Sequence, residues 1–357
     1  MGDAFGSQLA ALIIACMLVI PTVFLIGLAA IPLLRAKKTG RLEWKIGRRF
    51  SADGSEPSMG GVVAALGFAA WFFPLAAFAD LNGSITQNSR GDLIFAGIYV
   101  IMIMCVGAAE DRLRKFLARP AGLPAAFKQL LIFLLSLTLL LSFSKNGDTG
   151  TAVLLPFRLG YADAGVFYYP VTAFFMTAAV NVFKLHFCFG SDYSTAVGGL
   201  CELTGAVSLL AVGLCCEIVT AYGGALLADI GAGACIGMLL FTFPPSKIWS
   251  GESGSMFIGA LFAASVVLSG LELLLLTAAV PQLADLAAAV IHYIRFKHIP
   301  KPQRGDISPR RPLRMLWREK GFGSHTVLLL FALAGLAGAA LSLIFAVYAK
   351  GIVLVVD

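Results

Sequence analysis

LAALIIACMLVIPTVFLIGLAAIPLL, residues 9–34, contains no charged side chain. A helix rises 1.5 Å per residue, so about 20 such residues cross the roughly 30 Å hydrocarbon layer of a bilayer. No basic stretch precedes the run, and it is too long for the core of a secretion signal. It therefore reads as a retained span, with no cleaved leader or lipid anchor expected. Comparable runs recur throughout the 357 residues, which are 59% hydrophobic and 13% charged. Gly, Pro and charged residues break them into spans near 9–34, 58–79, 92–109, 124–143, 166–185, 200–221, 223–243, 254–275, 277–294 and 325–348. The fold class expected is an all-α polytopic membrane protein of about ten transmembrane helices, a single domain over residues 1–357.

The distribution of charge orients the bundle. With both termini outside, the loops 35–57, 110–123, 186–199, 244–253 and 295–324 face the cytoplasm. Of the 27 Lys and Arg, all but Arg90, Lys145, Arg158 and Lys350 lie in these loops or at the span ends beside them, as the positive-inside rule requires. The net charge of +7 thus reports topology and contact with lipid headgroups, and nucleic acid is not an expected partner. On the outer side, 144–165 combines Gly turns with the β-prone run AVLLPF and predicts a small external hairpin. All seven cysteines (Cys16, Cys105, Cys188, Cys201, Cys215, Cys216 and Cys235) lie in or beside apolar runs without CxxC or Cys/His spacing. Neither disulfides nor a thiolate zinc site is expected.

Four cytoplasmic stretches carry candidate chemistry. In GAAEDRLRKFLARPAGLPAAFKQLL, residues 107–131, Glu110 and Asp111 end one span and Lys128 lies one turn into the next. Adjacent acids at a membrane surface share a cation or activate a phosphate, and a Lys at that depth suits a phosphate; a charged helix end with a snorkelling Lys explains the same residues. In PPSKIWSGESGSMFIG, 244–259, Lys247, Glu252, Gly251 and Ser253 offer either an anion site at a helix N-terminus or a plain Ser/Glu cap. The segment 295–324 carries nine Lys or Arg, among them Arg314, and reads as topology plus lipid contact or as a grip on a polyanion. NVFKLHFCFGSDYSTAVGG, 181–199, holds Asn181, Lys184, His186 and a single acid, Asp192. Within the spans, Glu202, Glu217, Asp229, Glu272 and Asp285 are costly unless they face a cavity or a partner, which keeps an ion-coupled transporter as a rival reading.

Six pieces, in this order, resemble one family. EPSMGGVV (56–63) resembles TPTMGG; GAAEDRLRK (107–115) resembles GxxDDxxK; GLPAAFKQ (122–129) resembles the GLTxxxK segment. GVFYYPVTAFFMTAAVN (165–181) is similar to the span before an Asn/Asp-rich loop, FTFPPSKIWSGESGSMFIGALFA (241–263) to FNxxPAxxFMGDTGS, and PLRMLWREKGF (312–322) sits where the family has PxHHHxEKKGW. The family is that of the polyprenyl-phosphate N-acetylhexosamine-1-phosphate transferases, with the phospho-N-acetylmuramoyl-pentapeptide transferases the most similar branch. The resemblance implies ten spans, a bacterial plasma-membrane location, Mg2+ dependence and transfer of a sugar-1-phosphate from a UDP-sugar to undecaprenyl phosphate in cell-wall or surface-polysaccharide synthesis. It also implies a homodimer. Carried over, it places Glu110, Asp111 and Asp192 at the catalytic positions, Glu252 at the metal (Mg2+ or Mn2+), and Lys128 on the carrier phosphate. Asn181, Lys247, Gly251, Ser253 and Arg314 fall on the substrate.

The departures from the family pattern bear on activity. Glu252 stands for the metal-binding Asp. Against NxxNxxDGxDG the chain keeps Asn181 but has Lys184 for the second Asn and Phe187 for the first Asp; aligned instead from GGLC, Thr195 and Gly198 replace the two acids. Arg314, Met315 and Leu316 replace the triple His, Thr242 replaces the Asn of FNxxP, and the Lys before TPTMGG falls on Asp53 or Gly54. These changes predict a metal site weakened or lost, and leave two readings open: an active transferase, or a catalytically inactive paralogue that binds a polyprenyl phosphate or a cell-wall enzyme.

Overall fold

The computed structural model describes residues 2–36, 43–45, 48–50, 57–78, 90–116, 123–145, 151–154, 161–187, 197–298 and 311–356. Twelve helices follow one another: α1 (Gly2–Ala36), α2 (Gly60–Phe78), α3 (Arg90–Phe116), α4 (Ala125–Lys145), α5 (Tyr168–Phe187), α6 (Leu200–Ile218), α7 (Tyr222–Thr242), α8 (Gly251–Ser269), the short α9 (Leu274–Thr277), α10 (Val280–His298), the short α11 (Leu313–Glu319) and α12 (Ser324–Val356). A 3-10 turn (Gly165–Phe167) and two antiparallel hairpins complete the regular elements among the described residues. β1 (Glu43–Lys45) pairs with β2 (Arg48–Phe50), and β3 (Ala152–Leu154) pairs with β4 (Tyr161–Asp163). The second hairpin lies in the segment whose Gly turns and AVLLPF run predict it.

Nine of the described helices are long and apolar enough to cross a membrane. The tenth expected span, 277–294, falls on α9 and α10, neither of which is among these nine. Just before α9, Glu272 accepts a hydrogen bond from the Tyr168 hydroxyl at 2.7 Å at the start of α5. In α10, Asp285 lies 3.1 Å from His186 Nδ1 in the last turn of α5. α9 and the first turns of α10 therefore run beside α5, and Arg295, Lys297 and His298 occupy the last turn of α10.

Helix α8 is the axis. Its apolar window is buried along its whole length, against 28% for α1 and 33% for α4 and α12, and α2, α3, α5, α6 and α7 all pack on it. Peripheral helices present Leu25, Leu33, Phe174, Leu329 and Ile344 outward, where lipid rather than water meets them. Between such helices apolar burial supplies little drive, and close packing by small residues replaces it. Gly61 of α2 shows the scale: a Cβ there would fall on the Gly254 backbone nitrogen of α8. None of the six described cysteines is in a disulfide.

Candidate functional site

One end of the bundle gathers the C-terminal ends of α3, α5 and α7 with the N-terminal ends of α2, α4, α6 and α8. The EPSMGG piece forms a strap there. Pro57 carbonyl accepts from Trp249 N at 2.9 Å, while Gly60 N and Gly61 N donate to Trp249 O and Ser250 O at 2.9 and 3.0 Å. This strap fixes the loop that opens α8. Asp111, at the end of α3, completes the fixation by accepting from Glu252 N and Ser253 N, each at 3.0 Å. A carboxylate across two exposed N–H groups at a helix start is favoured by the hydrogen bonds and by the helix dipole. Gly251 makes that contact feasible. Its φ is +72°, and a Cβ would fall on the Asp111 carboxylate, so a side chain there is excluded both by backbone conformation and by space.

Beside this cap lies a buried ion cluster. Lys128 Nζ, in the first turn of α4, donates to both Glu110 carboxylate oxygens at 2.8 and 2.7 Å. Lys184 Nζ, in the last turn of α5, lies 2.7 Å from Glu252 Oε2 and 3.3 Å from Glu110 Oε2. Glu110 and Glu252 are fully buried, and Lys128 and Lys184 nearly so. Buried lysines and glutamates persist only when paired, and here two of each pair. One turn back on α5, Asn181 exchanges two hydrogen bonds with Gln129, at 2.8 and 2.7 Å, and also donates to Thr177 O at 2.7 Å. That clasp joins α5 to α4 beside Lys128 and sets the register in which both lysines meet the acids.

A second cluster lies on the other side of the same turn of α5. Arg314, in α11, is fully buried. Its Nη1 pairs with Asp285 Oδ2, its backbone N–H donates to Asp285 Oδ1 at 3.2 Å, and its Nη2 donates to Leu185 O at 3.2 Å. His186 Nδ1 shares Asp285 Oδ2 at 3.1 Å. Phe331 of α12 packs edge-on to the imidazole and also against Trp317, with ring centroids 5.1 Å apart in each case.

The structure therefore brings Glu110, Asp111, Lys128, Glu252, Gly251 and Ser253 together, and places Asn181 one turn away. The residues expected on the substrate differ in their surroundings. Arg314 is buried and paired with Asp285 inside the bundle. Ser253 is buried and its hydroxyl donates to Ser250 O at 3.1 Å. Lys247 is exposed on the loop before α8. Asp192, Thr195, Asp53 and Gly54 lie outside the described residues. Three of the five intramembrane acids lie in separate places: Glu272 is held at the opposite end by Tyr168, Asp229 packs against Gly213 in mid-bundle, and Asp285 belongs to the second cluster. Lys184 is the member to which the sequence assigned no site role. Its signal was present, a cation at i+3 from Asn181 in a position where the family pattern has an amide.

The expected Mg2+ does not fit these residues as they stand. Mg2+ takes six oxygens in near-octahedral geometry at roughly 2.0–2.1 Å. Among the described residues no three or more His, Cys, Asp or Glu side chains are grouped to hold a metal. The space between the two nearest carboxylates, Glu110 and Glu252, is taken by an ammonium group.

Residues 93–270, which include both acids of the cluster and Lys128 and Lys184, match the model of glycosyl transferase family 4. Over 337 residues, 90% of this chain and 94% of the relative, the chain is 24% identical to the phospho-N-acetylmuramoyl-pentapeptide-transferase of Desulfitobacterium hafniense. It is 27% identical over 325 residues to the enzyme of the same name from Heliobacterium modesticaldum, again covering 90% and 94%. The shared length, the ordered motifs and the helical bundle agree: the chain belongs to the superfamily of polyprenyl-phosphate N-acetylhexosamine-1-phosphate transferases, as a multi-pass bacterial membrane protein.

Proposed function

We propose that the chain works on a polyprenyl phosphate, undecaprenyl phosphate by resemblance, and a UDP-linked N-acetylated sugar, with its site on the cytoplasmic face. The observation that carries this reading is the convergence of Glu110, Asp111, Lys128 and Glu252 on one end of the bundle, from helices whose motifs match the family in order. That end is also the one from which the basic loops emerge, which supports its cytoplasmic placement. In the transfer reaction an oxygen of the lipid phosphate forms a bond to the sugar-bearing phosphorus, and the bond from that phosphorus to UMP breaks. This chemistry needs fixed cations near two anions and their alignment. Lys128 suits the carrier phosphate, Asp111 holds the start of α8, and Lys247 lies exposed on the neighbouring loop. Release of UMP from UDP-sugars by purified protein with undecaprenyl phosphate is the expected result. No release across a panel of UDP-sugars would remove the transfer reading.

The pairing of both buried acids with lysines favours a second reading, a paralogue that binds the carrier phosphate without transfer. Saturable binding of undecaprenyl phosphate with no UMP release identifies it, and rescue of a translocase-deficient strain by this chain alone rules it out.

A further inference from the structure

We infer that Lys184 is a built-in cation that takes the place of a divalent metal between Glu110 and Glu252, so that this site works, or binds, without one. The inference rests on the site assignment above and concerns the charge that the site carries. Two buried carboxylates bring two negative charges; Lys128 and Lys184 bring two positive ones, as many as one divalent ion would supply. Each ammonium offers three donors. Lys184 directs its Nζ at one oxygen of Glu252 and one of Glu110, at 2.7 and 3.3 Å, and so bridges the two acids as a metal would. The third nearby acid, Asp111, is engaged by the N–H groups of Glu252 and Ser253.

The helices support the same charge distribution. Lys184 lies in the last turn of α5 and Glu252 in the first turn of α8, where helix dipoles favour a cation and an anion respectively. The extra methylene of Glu252 has a counterpart in this geometry: its carboxylate reaches across to an ammonium at hydrogen-bond distance instead of to an ion at shorter range. Asp111 keeps its own negative charge, so a divalent ion added to the cluster would leave one uncompensated positive charge in a buried site, which is unfavourable. Replacing Lys184 by a neutral amide should reverse this balance.

The test is Mn2+ binding, read by electron paramagnetic resonance on detergent-purified full-length protein, with thermal stability measured in EDTA and in Mg2+. Wild type is expected to show no saturable Mn2+ binding in the millimolar range and the same melting temperature in both buffers. Lys184→Asn is expected to gain Mn2+ affinity by about tenfold or more, since one positive charge is removed from ion-pair distance, and Lys184→Asn with Glu252→Gln is expected to lose the gain. Saturable binding by wild type that Glu252→Gln abolishes overturns the inference, and so does a folded Lys184→Asn protein with unchanged affinity. Should Lys184→Asn fail to fold, the wild-type measurement still decides. Metal binding is read without turnover, so its outcome stands apart from UMP release. UMP release that persists in EDTA supports the inference; release that requires added Mg2+ counts against it.

Discussion

On one side of the last turn of α5, Lys184 meets Glu110, Lys128 and Glu252; on the other, His186 meets Asp285 and Arg314. The two residues are two apart and so face about 200° apart around the helix. The first cluster has two acids and two lysines, drawn from the ends of four helices. The second has one acid, shared by a guanidinium and an imidazole, and ties α5, α10 and α11 together while α12 packs alongside. The first joins residues from several motifs at one end of the bundle, and the second buries Arg314 against a single acid. The comparison separates a cluster in which two lysines meet two glutamates from one in which two basic side chains share one aspartate.

The largest effect should follow from Glu110→Gln. Glu110 holds Lys128 through both oxygens and also contacts Lys184, so its neutralisation leaves Lys128 buried without its ionised partner. A loss of about 4 kcal/mol is expected, seen as a lowered melting temperature in detergent. A loss no greater than that of an exposed substitution would break the view of a closed, charge-balanced cluster. Arg314→Met comes next, at about 3 kcal/mol, because Asp285 keeps His186 as a partner. If this variant instead abolishes binding of undecaprenyl phosphate while leaving stability unchanged, the second cluster is a ligand site after all.

Gly251→Ala sharpens the comparison by acting on one cluster only. Positive φ and the collision with Asp111 are expected to cost about 1–3 kcal/mol. The variant should change carrier-phosphate binding through displacement of Glu252, and a double variant with Arg314→Met should show additive losses.

The smallest effect is a pH response remote from both clusters. Asp163, at the end of the β3–β4 hairpin, is held below the usual carboxylate range by the Thr151 hydroxyl and then by the Gly165 N–H. A depressed carboxylate contributes stability that is fully present above its unfolded pKa and is lost as pH falls through the folded value. Amide exchange of residues 161–165 should therefore quicken below about pH 4, while the buried ion clusters, held by cations, stay protected. Unchanged exchange down to pH 2 would show that the turn does not depend on this carboxylate.

Much of this arrangement is legible in the sequence, and the reasons for the rest are physical. Long uncharged runs are sufficient evidence for helices in a bilayer, since backbone groups in hydrocarbon must pair within the segment. Within the expected span 277–294, hydropathy does not reveal that Asp285 has a partner 29 residues later. Glu110, Asp111, Lys128 and Glu252 stand in motifs, so their types and order pointed to one site. Lys184 escaped because its meaning depends on Glu110, 74 residues earlier, and on Glu252 in another helix; in a linear reading it was only a lost amide. The burial of Arg314 was not legible because a basic loop looks alike whether its arginines face solvent or are turned into the bundle.

The complete enclosure of α8 has a consequence for how the protein is made. The ribosome delivers α1 to α7 first, and five of the helices that pack on α8, namely α2, α3, α5, α6 and α7, are among them. Glu252 is therefore the last member of the ion cluster to be synthesised, and Lys184 gains its closer acidic partner only once α8 is made.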